Sequence, residues 1–307
     1  MEGIDYKTLL EEIYIEIEPL FGRGQVASYI PELGRIDGHQ FGMSICKNNG
    51  EEFVIGDCDK DFSIQSISKL YTFALAYKTV GVKLWDRLGR EPSGTKFNSL
   101  ILLEQEKGIP RNPFINSGAL VVADILLQEF SNPMDAMLEF IKEISGNPDV
   151  CINEKMKNSE LACSYTNYAL AFFMKSFGNI NSDVDSVLEL YTSLCAIEMD
   201  CVDLARSIRV FSSNGLNPWN NERILTMSES KRINAVMMTC GLYNGVGDFA
   251  YRVGIPAKSG VGGGIVGVIP GEMSIATWAP ELDHSGNSLI GLKALEIFTT
   301  RTGLSIY

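Results

Sequence analysis

The sequence predicts an α+β fold: one antiparallel sheet built from strands at both ends of the chain and flanked by helices, with a long helical middle forming a second lobe. Three observations predict it. Short, partly alternating apolar runs at 39–47 and 52–57 flank Asn48-Asn49-Gly50, a turn sequence that closes a hairpin. From about residue 66 to 250, almost every periodic apolar segment follows the helical repeat. After 255 the chain becomes glycine-rich and β-branched, and Pro270-Gly271 separates two further strand-like runs.

Taken in order, residues 6–21 show apolar spacing of an amphipathic helix, stopped by Gly22 and Gly24. Residues 26–33 read as an ordered loop, and the hairpin follows. A helix is expected from Ser66 to Lys78, ended near Gly81. Further helices are expected at 82–88, 99–106, 117–129, 133–144, 165–177, 183–196, 200–212 and 228–240, joined by Gly-, Pro- and Asn-bearing connections such as 108–113, 146–148 and 214–218. Single cysteines and methionines on these helices read as core filler. Residues 260–269 and 273–278 read as paired strands, and a helix over 288–303 closes the chain. No internal repeat is visible. The expected organisation is a single catalytic domain over 1–307, with an α/β lobe from 1–65 and 255–307, a helical lobe from 66–254, and a cleft between them suited to a small molecule.

Composition bounds the function. The chain has 307 residues, 45% hydrophobic and 21% charged, with a net charge of −12. An acidic chain without a dense Lys/Arg cluster argues against nucleic acid or an anionic membrane as partner. No run of apolar residues is long enough for a transmembrane helix. The acidic start Met1-Glu2-Gly3 does not resemble an export signal, so a cytoplasmic protein is expected. Seven scattered cysteines, with no Cys-x-x-Cys, fit reduced buried thiols. The two histidines, His39 and His284, lie in turn-like sequence, which argues against a Ser-His-Asp triad or a histidine zinc site. No metal and no cofactor is expected.

The chemistry gathers at Ser66-Ile67-Ser68-Lys69. On a helix, positions i and i+3 are neighbours. A serine hydroxyl needs a base to become a nucleophile, and a desolvated lysine can be neutral and serve as one. The pattern alone is weak, because Ser228-Glu229-Ser230-Lys231 repeats it in a charged setting that reads as a solvated helix start. Acyl transfer also needs oxyanion donors. The N–H of a serine near a helix start supplies one, and Lys258-Ser259-Gly260-Val261, opening a C-terminal strand, could bring the other. Tyr165-Thr166-Asn167 stands between these elements in the chain. Ser-x-x-Lys, a central asparagine and Lys-Ser-Gly occur in the order found in the penicillin-recognising serine enzymes, which points to a β-lactamase/penicillin-binding-protein-like fold. The alternative reading of 260–264 is a glycine-rich hairpin approach without chemistry.

Six ordered motifs sharpen this. They are 62–69, 112–119, Ser159-Glu160 with Asn167, 188–191, 239–243 and 256–265. Together they resemble the glutaminases, serine-dependent enzymes that hydrolyse L-glutamine to glutamate and ammonia on a β-lactamase-like fold. The resemblance runs from about residue 26 to 288. It implies that Ser66 forms a γ-glutamyl ester, that Lys69 takes its proton, and that the N–H groups of Ser66 and Val261 hold the oxyanion. Tyr191 and Tyr243 resemble the tyrosines beside the nucleophile, with a phenol relaying a proton to ammonia. Glu160 resembles the anion that meets the substrate ammonium, and Gln65, Asn116 and Asn167 resemble the family's amide partners for the substrate carboxylate and side chain. Lys258 is expected to tune Lys69 by like charge. The resemblance also implies a homo-oligomer, dimer or tetramer.

Each residue has a plainer reading: Tyr191 and Tyr243 as half-buried helix aromatics, Glu160 as a charge at a helix N-terminus, Asn116 and Asn167 as N-caps. The chain departs from the family pattern at Ser117, where alanine is usual, and at Thr166, where arginine is usual; neither is assigned to chemistry. The competing functions are a β-lactamase, penicillin-binding-type hydrolase or esterase, and a non-catalytic amino-acid-binding protein.

Overall fold

A computed structural model describes residues 3–94, 99–217 and 219–307. Met1, Glu2 and Pro218, the last residue of one expected connection, lie outside the described residues. Helix α1 (Tyr6–Ile17) starts where the Asp5 carboxylate accepts the N–H groups of Lys7 and Thr8. It ends short of residue 21 because Pro19 has no N–H to continue the ladder, and a 3-10 turn over Glu18–Leu20 takes over. The chain continues through β1 (Gln25–Val26), β2 (Gly42–Lys47), β3 (Glu52–Gly56), β4 (Phe62–Ser63) and α2 (Ser68–Val80). Then come α3 (Leu100–Gln105), α4 (Asn116–Glu129), α5 (Pro133–Ser145), β5 (Cys151–Ile152), α6 (Glu154–Ala162), α7 (Tyr165–Ser176), α8 (Val184–Cys195), β6 (Ile197–Met199) and α9 (Cys201–Ser212). The last part holds α10 (Met227–Cys240), α11 (Val246–Arg252), β7 (Ala257–Ser259), β8 (Gly264–Ile269), β9 (Met273–Trp278), β10 (Glu281–Leu282) and α12 (Leu289–Thr302).

Strands from the two ends of the chain form one antiparallel sheet in the order β3-β2-β9-β8-β7. The hairpin register pairs Ile45 with Phe53, and Ile45 also faces Ile275 on β9, which joins the chain ends. Side chains alternate across the sheet. Met43, Ile45, Ile265 and Ile275 pack with α1 and α12 in one core. Cys46, Val266, Val268, Ala276 and Trp278 face the other core, built from the helical middle of the chain. Because a one-residue slip would exchange the two faces, burial on both sides pins the register. Strand β7 is an edge strand, so its outer side is free to meet the segment that enters α2.

The middle of the chain departs from a purely helical reading. Strands β4, β6 and β5 form a small sheet in that order, too short to leave a periodic signal. Helix α6 carries no apolar stripe, because Glu154–Ala162 is polar with only Met156 and Glu160 buried. The expected helix at 82–88 is a 3-10 stretch over Gly81–Asp86. The expected strand at 260–269 is split: β7 ends at Ser259, a tight turn follows, and β8 begins at Gly264. Gly263 in that turn has φ +95°, a conformation open to glycine and strained for other residues.

Candidate active site

The segment entering α2 sets the geometry. Gln65–Ile67 forms a 3-10 turn before the α-helix starts at Ser68, so the backbone N–H of Ser66 lies in the first turn, where intrahelical partners are missing. Gln65, directly before Ser66, has φ +49°, and Tyr243 has φ +48°. Two non-glycine residues in the left-handed region mark local strain on either side of the serine.

The turn after β7 packs directly on this segment. A Cβ on Gly260 would stand 2.6 Å from Ile64 O and 3.3 Å from Ser66 N, and one on Gly262 would stand 2.4 Å from Ser63 O. These glycines permit a backbone-to-backbone approach that any side chain would block. The approach brings Val261 beside Ser66. Ser66 and the Val261 backbone lie against the buried Tyr243 phenol and hold its proton affinity down against the larger upward push of burial.

Ser66 opens onto a cavity of about 240 Å³. Gln65, Ser66, Asn116, Glu160, Asn167, Tyr191, Tyr243 and Val261, each singled out in the sequence, all line it. Lys69 and Lys258 lie beneath its wall, each 1% exposed. The Lys69 amine donates to Asn116 Oδ1 at 2.6 Å and to Phe114 O at 3.4 Å. The Asn116 amide in turn donates to Asn167 Oδ1 at 3.0 Å. Neither asparagine caps its helix: α4 is preceded by Ile115 and α7 by Ser164.

Burial lowers the Lys69 amine to about 8, against smaller upward pulls from Cys195 and Glu160. Burial raises the Glu160 carboxyl to about 7, with Gln65 and Lys69 holding it back. Glu160 sits near the C-terminal end of α6, so attraction to a helix N-terminus does not explain it. Its Oε2 is buried without a hydrogen-bond partner, a costly state unless a cationic group completes it. Lys258 is held well below the ordinary lysine range, first by burial and then by the charge of Lys69. Its amine donates to Ser259 O and lies 4.9 Å from the Tyr243 ring centre.

The cavity also takes in Tyr29, Ile30, Cys163, Ser164 and Thr166. Tyr29 and Ile30 come from the expected ordered loop, which the β1–β10 pairing of Val26 with Glu281 ties beside the cleft. Thr166, set aside as a departure without chemistry, is a lining residue. The second Ser-x-x-Lys is structural: Thr226 and Glu229 form a capping box at the start of α10, and Ser230 donates to Phe211 O. Among the described residues, no group of three or more His, Cys, Asp or Glu side chains is placed to hold a metal ion. No helix among them is long and apolar enough to cross a membrane.

Comparison with known proteins places this geometry in a family. The family model described as Glutaminase matches residues 24–307. The chain is 52% identical over 304 residues to a glutaminase of Ralstonia nicotianae, covering 99% of this chain and all of that one. It is 52% identical over 305 residues to a glutaminase of Aliarcobacter butzleri, with the same coverage. Among solved structures, a probable glutaminase, ybaS, superposes with a TM-score of 0.93 at 34% identity, covering 98% of this chain and 97% of that one. A probable glutaminase from Bacillus subtilis, complexed with 6-diazo-5-oxo-L-norleucine, superposes with a TM-score of 0.89 at 29% identity, covering 100% of this chain and 99% of that one.

Proposed function

Because the chain belongs to the glutaminase family, with its β-lactamase-like fold and its hydrolysis of L-glutamine to L-glutamate and ammonia, we propose how its own residues perform that reaction. The observation that carries the reading is the meeting of Ser66 and the Val261 backbone at one small cavity, with the buried Lys69 amine hydrogen-bonded to Asn116, which lines the same cavity.

Glutamine enters with its α-ammonium toward the unpartnered Glu160 oxygen and its carboxylate toward the Asn116 and Asn167 amides and the Tyr191 side. Gln65, whose amide donates to Ser63 Oγ at 2.9 Å, helps hold Glu160. Ser66 Oγ attacks the side-chain amide carbon, and its proton passes to the neutral Lys69 amine. Negative charge on the amide oxygen is held by the N–H groups of Ser66 and Val261. The C–N bond breaks as the leaving nitrogen receives a proton relayed through the Tyr243 phenol, and ammonia departs. Water then attacks the γ-glutamyl ester, Lys69 takes up and returns a proton, and glutamate leaves. Lys258, held well below the ordinary lysine range by burial and by the charge of Lys69, supports the site through its contacts with Ser259 and Tyr243.

Ammonia release by purified wild type and Ser66→Ala tests the assignment. The variant is expected to lose at least about a thousandfold in kcat, the scale of removing a covalent nucleophile. Equal activity of the two proteins would refute the serine role. We also propose a cytoplasmic homo-oligomer; the exposed aromatic face of α7 supports self-association, and subcellular fractionation tests the compartment.

A further inference from the structure

We propose that Cys58 and Cys201 form an oxidative modification site, a thiol pair that a small hydroperoxide converts to an intramolecular disulfide. The pair lies away from the cavity, just past the end of the β4–β6 ladder, where Phe62 pairs with Met199 and Ser63 with Glu198. Beyond those rungs the chains stay tied: Cys201 N donates to Cys58 O at 3.1 Å. The Cys58 thiol is held by Ile55 O at 2.9 Å and Met43 O at 3.0 Å, and it contacts the Cys201 thiol. A disulfide needs its two Cα atoms roughly 4.4–6.8 Å apart, and a shared backbone hydrogen bond with the thiols in contact holds the pair close enough for the bond to form within the folded chain.

Access orders the chemistry. Cys58 is 4% exposed and Cys201 0%, while Asp59 and Lys60, next to Cys58, are exposed. An oxidant entering from solvent meets Cys58 first. The Cys58 sulfur attacks one peroxide oxygen, the O–O bond breaks, and a sulfenic acid and an alcohol (or water) result. The Cys201 sulfur then attacks the Cys58 sulfur, the S–O bond breaks, and the hydroxyl leaves as water with the Cys201 proton. Two thiols lose two electrons in all, and the peroxide gains them.

The bridge would join the turn between β3 and β4 to the start of α9, closing a loop of nearly half the chain. Such a cross-link restricts the unfolded ensemble most when the loop is long. Neither cysteine lines the substrate cavity, so the oxidised protein keeps its activity and unfolds later.

The test treats the full chain with hydrogen peroxide, blocks remaining thiols with N-ethylmaleimide, and digests without reduction. Wild type is expected to yield a peptide pair joining Cys58 to Cys201, lighter by two hydrogens. Its Tm should rise by about 3–8 °C, reversed by dithiothreitol, with glutamine hydrolysis within about twofold of the reduced protein. Cys58→Ser and Cys201→Ala should show neither the peptide pair nor the rise; two variants are used in case one folds poorly. The proposal is overturned if both thiols are recovered as maleimide adducts after the exposed Cys151 and Cys163 have been oxidised. It is equally overturned if the bridge joins another pair, if Cys58→Ser gains the same Tm, or if the bridge brings no Tm rise or a tenfold loss of activity.

Discussion

In the proposed mechanism, Lys69 and Glu160 set the pH range in which the cavity works. The base must be neutral, and burial places its amine at about 8. The ammonium partner must be anionic, and burial places its carboxyl at about 7. Both requirements are met as pH rises, so kcat/KM for glutamine is expected to climb steeply between about 6.5 and 8.5; a flat profile there would contradict the assignment. The same carboxyl burdens the empty protein. Its folded value lies above the usual 4.5, so stability falls as pH rises from 4.5 to about 7, and the full cost persists above that. Glu160→Gln should therefore raise the stability of the substrate-free protein at pH 8 by about 1–3 kcal/mol while abolishing measurable glutamine turnover. A denaturation series with both proteins at pH 5 and pH 8 separates this from a general effect of the substitution, because the gain should shrink at pH 5.

At the scale of elements, the proposed mechanism depends on an edge strand lying against a helix start. The sequence presents 260–264 as either an oxyanion element or a plain glycine-rich hairpin. The structure favours the first by proximity, since Gly260 and Gly262 stand where a Cβ would strike Ile64 O or Ser63 O. Gly260→Ala must push the turn away from Ser66. The expected result is a fall in kcat of roughly a hundredfold or more, the range for losing an oxyanion donor. KM should change little, because Glu160, Asn116 and Asn167 come from other elements. A rise in KM with kcat intact would show that the turn serves binding instead.

At the scale of the whole molecule, two cores lie on opposite faces of one sheet, and α1 belongs to the sheet-and-terminal-helix core through Leu10, Ile13 and Ile17. Residues 6–17 therefore pack the scaffold. Helix α7 differs: it turns Asn167 into the cavity while leaving Tyr165 80% and Phe172 57% exposed. Large aromatics about two turns apart on one helix face suit burial against a second copy. Sedimentation equilibrium is expected to return two or four times the 33.8 kDa chain mass, and Phe172→Glu to lower it. A wild-type monomer at micromolar concentration would end the proposal.

The hairpin, the C-terminal strands and most helices were legible because their signals are local: turn residues, a period of two, a period near 3.6. The set of lining residues was legible only through ordered motifs, since Ser66, Glu160, Asn167 and Val261 lie on separate elements. The polar helix α6, the strands of the small sheet and the break at Gly260–Gly263 left no periodic trace. The pairing of Cys58 with Cys201 and the place of Tyr29, Cys163 and Thr166 in the cavity depend on contacts between distant segments. By itself the sequence determined the α+β layout, the Ser66–Lys69 pair and the family. Only the tertiary structure decided that Lys69 and Glu160 are titrated toward neutrality, because burial, which moves both groups, is a property of the assembled chain and not of its residues in order.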